Sequence, residues 1–302
     1  GLKLGLGPEG AVTSLSVGGK PWPLTPGALS GLLLRDAAAD GQFVAAGGRV
    51  AAAEGSLRQA GTNAALKLDF AATYRARPGA VEVQGFVHDL SGQDRAITVR
   101  FALPVQAAGG VWWQDLLNHE AIAGGTYANL RHTGVGATGN TSAFPWGAIS
   151  AAPGELCLGV PMDRFVVHRL AYDGTAQCFT LDFDFGLSPL TKAFPSRADF
   201  SLVIYTPDAR TVAGARQGFR AATAAYYALF PEAFTRRSEK EGLWMPFTDI
   251  ARVQDAEDFN FAFQEGASNI PWDEAHGIYS FRYISPHWAM LWMPERQEKP
   301  TP

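Results

Sequence analysis

The chain has 302 residues, of which 47% are hydrophobic and only 18% are charged. This apolar content is enough for a large core and excludes a wholly disordered chain. The 25 Lys and Arg residues against 29 Asp and Glu residues give a net charge of -4, which argues against a nucleic-acid partner because phosphate binding needs an excess of positive charge.

The first part of the chain shows mainly the two-residue period of β-strands. Apolar positions alternate with polar or small ones over 81–87 and 96–103, and turn residues precede each run. The stretch 66–103 therefore predicts three successive antiparallel strands, and 156–183 predicts a second meander. Many strands without intervening helices are typical of a two-sheet sandwich, so residues 1–206 are predicted to form one mainly β sandwich.

The hydrophobic period then changes to that of a helix. Apolar residues recur at helical spacing over 211–230, Asp208 is placed to cap this helix, and Pro231 is placed to end it. The charged residues of 236–241 indicate a solvated connection. We therefore assign 207–240 to a linker helix and connection.

Motifs for nucleotides and metals fail on their context. Two segments, 5–10 and 134–139, match Gly-x-Gly-x-x-Gly, but neither leads into the helix that a dinucleotide site needs. The six histidines show neither the i, i+4 pair nor the Cys/His spacing of a zinc site. No cofactor and no metal are predicted.

Three tryptophans lie beside polar residues in predicted loops. Trp112 and Trp113 are followed by an amide and by Asp115, and Trp146 lies in a later loop. An indole can bind the apolar face of a sugar while nearby polar groups bind its hydroxyls. These four residues are therefore predicted to form a carbohydrate-binding surface. The alternative is that each tryptophan belongs to the core.

Two carboxylates, Asp182 and Asp184, alternate with apolar residues and so share one face of a predicted strand. A pair of carboxylates can act as an acid/base couple. The interpretation that we favour is a solvated strand face.

Several short motifs occur in a fixed order along the chain. They are Asp94-Arg95, Ala102-Leu103-Pro104, Trp112-Trp113-Gln114-Asp115, Pro145-Trp146-Gly147, Asp182-Phe183-Asp184-Phe185-Gly186-Leu187-Ser188, Gly218-Phe219-Arg220-Ala221-Ala222, Tyr226-Tyr227-Ala228-Leu229-Phe230-Pro231-Glu232 and Gly242-Leu243-Trp244-Met245-Pro246-Phe247. With this order the chain resembles glycoside hydrolases that carry an N-terminal galactose-mutarotase-like β-super-sandwich, a linker helix and a (β/α)8 barrel. The resemblance implies a mainly β protein, with the super-sandwich over 1–206 and the beginning of the barrel over 241–302.

The resemblance also places strands and site residues in the last part of the chain. A complete barrel takes about 250 residues, whereas 242–302 holds 61, enough for about two βα units. The runs 243–248 and 278–284 would be the first two strands, so the later strands are expected to be absent.

Barrel active sites lie at the carboxyl ends of the strands. Asp249 after the first strand, Glu265 on the long loop that follows, and Arg282 on the second strand are therefore predicted to contact substrate. Arg282 would keep Asp249 ionised from the neighbouring strand; the alternative is that Asp249 caps the following turn. The catalytic carboxylates stay unassigned, because related barrels usually carry them on later strands.

The function predicted from these features is that of the N-terminal portion of a glycoside hydrolase acting on a glycan or polysaccharide, with the sandwich supporting the barrel active site. Whether the chain is itself an enzyme stays open. The alternatives are a non-catalytic carbohydrate-binding module and a structural or assembly protein. Parallel strands after residue 241 would favour the glycosidase, and strands added to the sandwich would favour the module.

The predicted partners are a glycan and the remainder of the chain's own polypeptide. Nucleic acid is excluded by the charge balance, and a membrane by the lack of any apolar run approaching the ~20 residues of a spanning helix. The resemblance implies an extracytoplasmic location, periplasmic or secreted.

Overall fold

The computed structural model describes residues 1–164, 166–207, 218–236, 240–266 and 269–282. Three predicted features lie outside these residues: the cap Asp208, the first turns of the predicted helix over 211–217, and the end of the predicted strand 278–284. No helix in the described part of the chain combines the length and the apolar character needed to cross a membrane.

Antiparallel strands make up most of the described chain before residue 207. Its first part contains β1 (Leu2–Leu6), β2 (Val12–Val17), β3 (Lys20–Pro21), β4 (Gly31–Asp36), β5 (Val44–Ala45), β6 (Arg49–Ala53), β7 (Ser56–Asn63), β8 (Leu68–Arg77), β9 (Ala80–Asp89) and β10 (Arg95–Leu103). Its second part contains β11 (Val111–Trp113), β12 (His119–Ala121), β13 (Thr126–Ala128), β14 (Leu130–His132), β15 (Asn140–Ser142), β16 (Trp146–Ala151), β17 (Gly154–Gly159), β18 (His168–Asp173), β19 (Cys178–Leu187) and β20 (Arg197–Tyr205).

Two antiparallel sheets dominate this region. The nine-stranded sheet has the order β12-β11-β16-β17-β20-β9-β8-β7-β6, and the six-stranded sheet has the order β13-β18-β19-β10-β4-β5. A three-stranded sheet, β1-β2-β3, and a β14-β15 hairpin accompany them. The three strands predicted over 66–103 are present as β8, β9 and β10, but β10 belongs to the six-stranded sheet and does not pair with β9.

The main core lies between the two large sheets. Each strand turns alternate side chains inward, as in β10, where Ile97, Val99, Phe101 and Leu103 are buried. Aromatic rings of the two sheets pack against each other. The ring centres of Tyr74 of β8 and Phe101 are 6.5 Å apart, and those of Phe183 of β19 and Phe200 of β20 are 5.8 Å apart. This inward packing makes the region a two-layer sandwich.

A second core covers part of the nine-stranded sheet. Helix α1 (Phe219–Leu229) buries Ala222, Ala225 and Tyr226 against Trp146, Tyr205 and their neighbours. The small alanines allow the helix to approach the sheet closely. Pro231 ends α1 as predicted, and it also begins the short helix α2 (Pro231–Phe234).

By its internal contacts the chain divides into Gly1–Phe234 and Thr235–Pro302. The boundary falls within the predicted connection of 207–240. The described part of the second unit contains β21 (Leu243–Met245), 3-10 helices at Ile250–Arg252 and Ala256–Phe259, β22 (Phe261–Glu265), α3 (Ile270–Ala275) and β23 (Tyr279–Phe281).

The strands of the second unit form their own sheet, with the order β21-β22-β23 and parallel pairing throughout. Here the sequence-based prediction missed one strand. The segment around Glu265 was predicted to be a loop, but it contains β22, whose Phe261, Ala262 and Gln264 are buried. Strand 278–284 is therefore third in the sheet instead of second.

Candidate functional site

The carboxyl ends of the three parallel strands meet at one edge of the second unit. Glu265 is the last residue of β22 and pairs with Phe281 of β23, and Gly266 N donates to Phe281 O at 2.9 Å. Arg282 follows directly and is exposed. Glu265 and Arg282 thus lie at the same edge, and Glu265 reaches it from a strand and not from the predicted loop.

Asp249 does not have the environment that was predicted for it. Its Oδ1 accepts a hydrogen bond from Ala251 N at 3.0 Å, and its side chain caps the 3-10 helix Ile250–Arg252. Its ion-pair partner is Arg252, with 3.7 Å between Nε and Oδ2. The prediction that Arg282 lies on the neighbouring strand is wrong, because β22 separates β21 from β23. The capping alternative describes Asp249 correctly.

Gln264, the neighbour of Glu265, organises this edge. Its side chain is almost fully buried, and Oε1 accepts from Ile250 N at 2.8 Å. Nε2 donates to the carbonyl oxygens of Thr248 at 2.8 Å and Met245 at 3.3 Å. One amide therefore holds the loop that follows β21 against the end of β22. The alternation of phenylalanines with smaller residues over 259–263 was the signal for this strand.

The predicted indole surface is not formed. Trp112 is 1% exposed and packs edge-on against Phe179 at 5.9 Å. Trp146 is 8% exposed, and the centre of its ring lies 4.7 Å from that of Tyr226 of α1. The prediction of a sugar platform is wrong for both tryptophans, because the large apolar area of each indole is buried in a core.

Trp113 and Asp115 lie nearer the surface. Trp113 is half-buried and donates from Nε1 to Ser150 Oγ at 2.8 Å. The centre of its ring lies 5.1 Å from that of His119, with the two rings tilted by 41°. Asp115 accepts from the backbone N–H groups of Leu117 and Asn118 at 2.7 and 2.8 Å. Hydrogen bonds from the Asn118 side chain and from these two backbone groups lower the pKa of Asp115. Its carboxylate therefore stabilises a turn.

Asp182 and Asp184 are neither solvated nor a free acid/base couple. Asp182 pairs with Arg100, and Arg169 contacts both carboxylates. Burial raises the pKa of Asp184, but hydrogen bonds from Arg169, Ala137 N and Thr98 outweigh it, and the pKa ends below its ordinary value. The favoured interpretation of a solvated face is therefore wrong, because arginines on the two adjacent strands cover both carboxylates.

A buried carboxyl that the sequence analysis missed lies under the start of α1. Glu155 accepts from Gly218 N at 2.5 Å and from Ser150 Oγ at 3.2 Å, while its Oε1 has no partner in the described structure. Burial raises the pKa of Glu155 to about 7, against the lowering effect of these two hydrogen bonds. Gly218 has a φ of +98°, which favours glycine at this contact.

Among the described residues, no three His, Cys, Asp or Glu side chains converge in a way that could hold a metal ion.

Comparison with family profiles and with curated protein sequences finds no match. Among solved structures, the galactosidase domain of the α-galactosidase–sucrose kinase AgaSK is similar to this chain, with a TM-score of 0.51 and 10% identity, over 88% of this chain and 47% of that one. The AgaA GH36 α-galactosidase of Geobacillus stearothermophilus in complex with stachyose has a TM-score of 0.49 and 10% identity, over 87% of this chain and 48% of that one. A galactose mutarotase-like protein from Lactobacillus casei has a TM-score of 0.41 and 10% identity, over 68% and 96%.

These similarities concern the fold. The chain shares its fold with the AgaSK galactosidase domain, and the predicted mainly β fold class is confirmed. The chain spans about half the length of the α-galactosidase chains that it matches. The match to the AgaSK domain covers 88% of the chain, more than Gly1–Phe234 alone, so it extends into the second unit.

Proposed function

We propose that this chain is the N-terminal portion of a glycoside hydrolase that acts on a glycan, with the sandwich supporting an active site at the carboxyl ends of parallel strands. The observation that carries the proposal is the separate parallel sheet β21-β22-β23, whose strands alternate with helical segments. Consecutive parallel strands of this kind support the beginning of a (β/α)8 barrel, a fold in which substrates bind at the carboxyl ends of the strands. A module built from additional sandwich strands would not have such a sheet.

The edge supplies polar groups suited to sugar hydroxyls. The Glu265 carboxylate can accept hydrogen bonds from hydroxyl groups, and the Arg282 guanidinium can donate to them. Asp249 is assigned a positioning role, because its carboxylate caps the loop that Gln264 also holds. The two carboxylates of glycoside hydrolysis are not assigned within the chain.

The burial of Trp112 and Trp146 weakens the case for a non-catalytic module, because it removes the predicted indole surface from the sandwich. Fold similarity to α-galactosidases makes α-linked galactosides the first substrates to test.

The test is hydrolysis of a panel of 4-nitrophenyl glycosides, beginning with the α-galactoside, by the polypeptide that the gene encodes. Glu265→Gln should lower kcat/KM at least tenfold, about 1.4 kcal/mol in transition-state stabilisation. Glu257→Gln is the matched control, because Glu257 is an exposed residue of the 3-10 helix Ala256–Phe259. Absence of hydrolysis across the panel, or equal effects of the two variants, would overturn the proposal.

An extracytoplasmic location is part of the same proposal and follows from the type of enzyme that the chain resembles. Fractionation of the source cells tests it directly: the protein should be recovered outside the cytoplasm, and recovery with cytoplasmic enzymes would contradict it.

A further inference from the structure

The outer face of the nine-stranded sheet carries a row of hydrogen-bonding side chains. Strands β8, β9 and β20 are neighbours there, and their register sets Gln84 of β9 directly opposite Thr73 on one side and Ser201 on the other. Adjacent strands lie about 4.8 Å apart. The register therefore places the Thr73 hydroxyl beside the Gln84 amide at the surface, while the Ser201 hydroxyl on the other side is buried and accepts from Arg164 Nη1 at 3.4 Å.

The rows on either side add an aromatic ring and charges. Phe86, two residues after Gln84 on β9, lies opposite Asp199 of β20. Glu82, two residues before Gln84, lies opposite Arg75 of β8. Same-face residues on one strand are about 7 Å apart, so the polar strip from Glu82 to Phe86 is about 14 Å long. This length accommodates more than one sugar ring.

These side chains line a groove. A depression of about 300 Å³ is bounded by Thr73, Gln84, Phe86, Arg197 and Asp199, among others. A second depression of about 330 Å³ shares Glu82, Gln84 and Arg164 with the first and extends to the end of α1. Together they reach the size of small-molecule binding sites.

The charges in the groove alternate in sign. Nε and Nη2 of Arg197 donate to Asp199 Oδ1 at 3.0 and 2.9 Å, and the guanidinium lies 4.0 Å from the centre of the Phe86 ring. Glu82 accepts from Gln84 Nε2 at 2.9 Å. A strongly anionic ligand would meet the carboxylates, and a cationic ligand would meet the guanidinium groups. An uncharged ligand with many hydroxyls can pair with both.

We propose that this groove binds a neutral oligosaccharide, with Thr73 and Gln84 contacting its hydroxyls and Phe86 contacting an apolar ring face. A sugar presents both surfaces at once, whereas an extended peptide pairs with the edge of a sheet and not with its face. The inference rests on the proposed function only for the class of ligand. None of the residues at the ends of the parallel strands takes part in it.

The test is isothermal titration of the 302-residue chain with stachyose, maltohexaose and cellohexaose, and with trigalacturonate as an anionic probe. At least one neutral probe should bind with a Kd below ~1 mM. Gln84→Ala and Phe86→Ala should each weaken that binding at least tenfold. Gln93→Ala, the same change as the first variant at an exposed turn outside the groove, should leave it unchanged.

Thermal melting of each variant separates loss of binding from loss of folding, and Gln84→Ala is the deciding variant if Phe86→Ala does not fold. No binding of any neutral probe, preference for trigalacturonate, or equal affinity of Gln84→Ala and the unchanged chain would overturn the inference. Hydrolysis by the encoded polypeptide that depends on Glu265, without binding in the groove, would leave the proposed function standing and remove only the groove.

Discussion

Arg100 and Asp182 face each other directly across β10 and β19, and their side chains form a two-point ion pair, with 2.6 Å from Nε to Oδ1 and 2.9 Å from Nη2 to Oδ2. On the other side of β19, the register sets Arg169 opposite the same aspartate. One buried carboxylate thus lies between two guanidinium groups on neighbouring strands. It compensates charges that would otherwise repel each other.

Removing that carboxylate should therefore be costly. Asp182→Ala leaves Arg100 and Arg169 facing each other with no carboxylate between them in this row, and we expect a loss of about 3 kcal/mol in the free energy of unfolding. Urea denaturation followed by circular dichroism measures it. Asp163→Ala, at an exposed ion pair, should cost less than about 1 kcal/mol. Equal losses of unfolding free energy in the two variants would show that the contacts of Asp182 with Arg100 and Arg169 contribute little to stability.

Glu155 should make stability depend on pH in a defined window. Its pKa is raised from an ordinary value of 4.5 to about 7 in the folded chain, so the stability that its neutral form provides is complete below pH 4.5 and is lost as the pH rises through 7. Glu155→Gln keeps an oxygen acceptor for Gly218 N and cannot ionise. The variant should match the unchanged chain at pH 4.5 and exceed it by roughly 2 kcal/mol at pH 8.

Urea unfolding at several pH values measures this difference between the two proteins. Parallel stability curves from pH 4.5 to pH 8 would mean that Glu155 titrates in the folded chain as it does in water.

The Gln264 amide should hold the loop after β21 in place. Gln264→Leu keeps most of the volume but leaves the Met245 and Thr248 carbonyls and the Ile250 N–H without their partner, at a cost of about 3 kcal/mol. Hydrogen exchange at the Ile250 amide should accelerate more than tenfold. Gln254→Leu, at an exposed position, is the control and should not change this rate.

Capping by Asp249 predicts a contrast between two substitutions. Asn is as good a cap as Asp, so Asp249→Asn should preserve the hydrogen bond to Ala251 N, whereas Asp249→Ala should lose about 1 kcal/mol of local stability. Hydrogen exchange of the Ala251 amide reports this difference. Faster exchange in both variants would show that the charge, and not the cap, stabilises the turn.

The sequence was most informative where one physical rule decides the structure. The alternation of apolar and polar residues over 96–103 requires a strand with a buried face, and β10 has such a face. Pro231 cannot continue a helix, and α1 ends before this residue. Asp182 and Asp184 show the limit of this reasoning. Their shared face was predictable from the period of two, but the arginines that cover them come from β10 and β18, and strand order cannot be read from periodicity.

The candidate site was harder to predict than the fold. A tryptophan beside Asp and Gln has the same sequence pattern in a sugar site as at the border of a core, and for Trp112 and Trp146 burial decided the outcome. Glu265 and Arg282 were brought to one edge because carboxyl ends of parallel strands meet there. The intervening strand β22 was missed although its phenylalanines alternate with smaller residues.

The ion pair between Arg100 and Asp182 joins residues 82 positions apart in the chain. During synthesis β10 leaves the ribosome long before β19, so one edge and the apolar face of β10 stay uncovered while the next 80 or so residues are made. Non-local pairing of this kind slows folding and exposes strands to aggregation. The centre of the six-stranded sheet is therefore open to aggregation while the chain is incomplete.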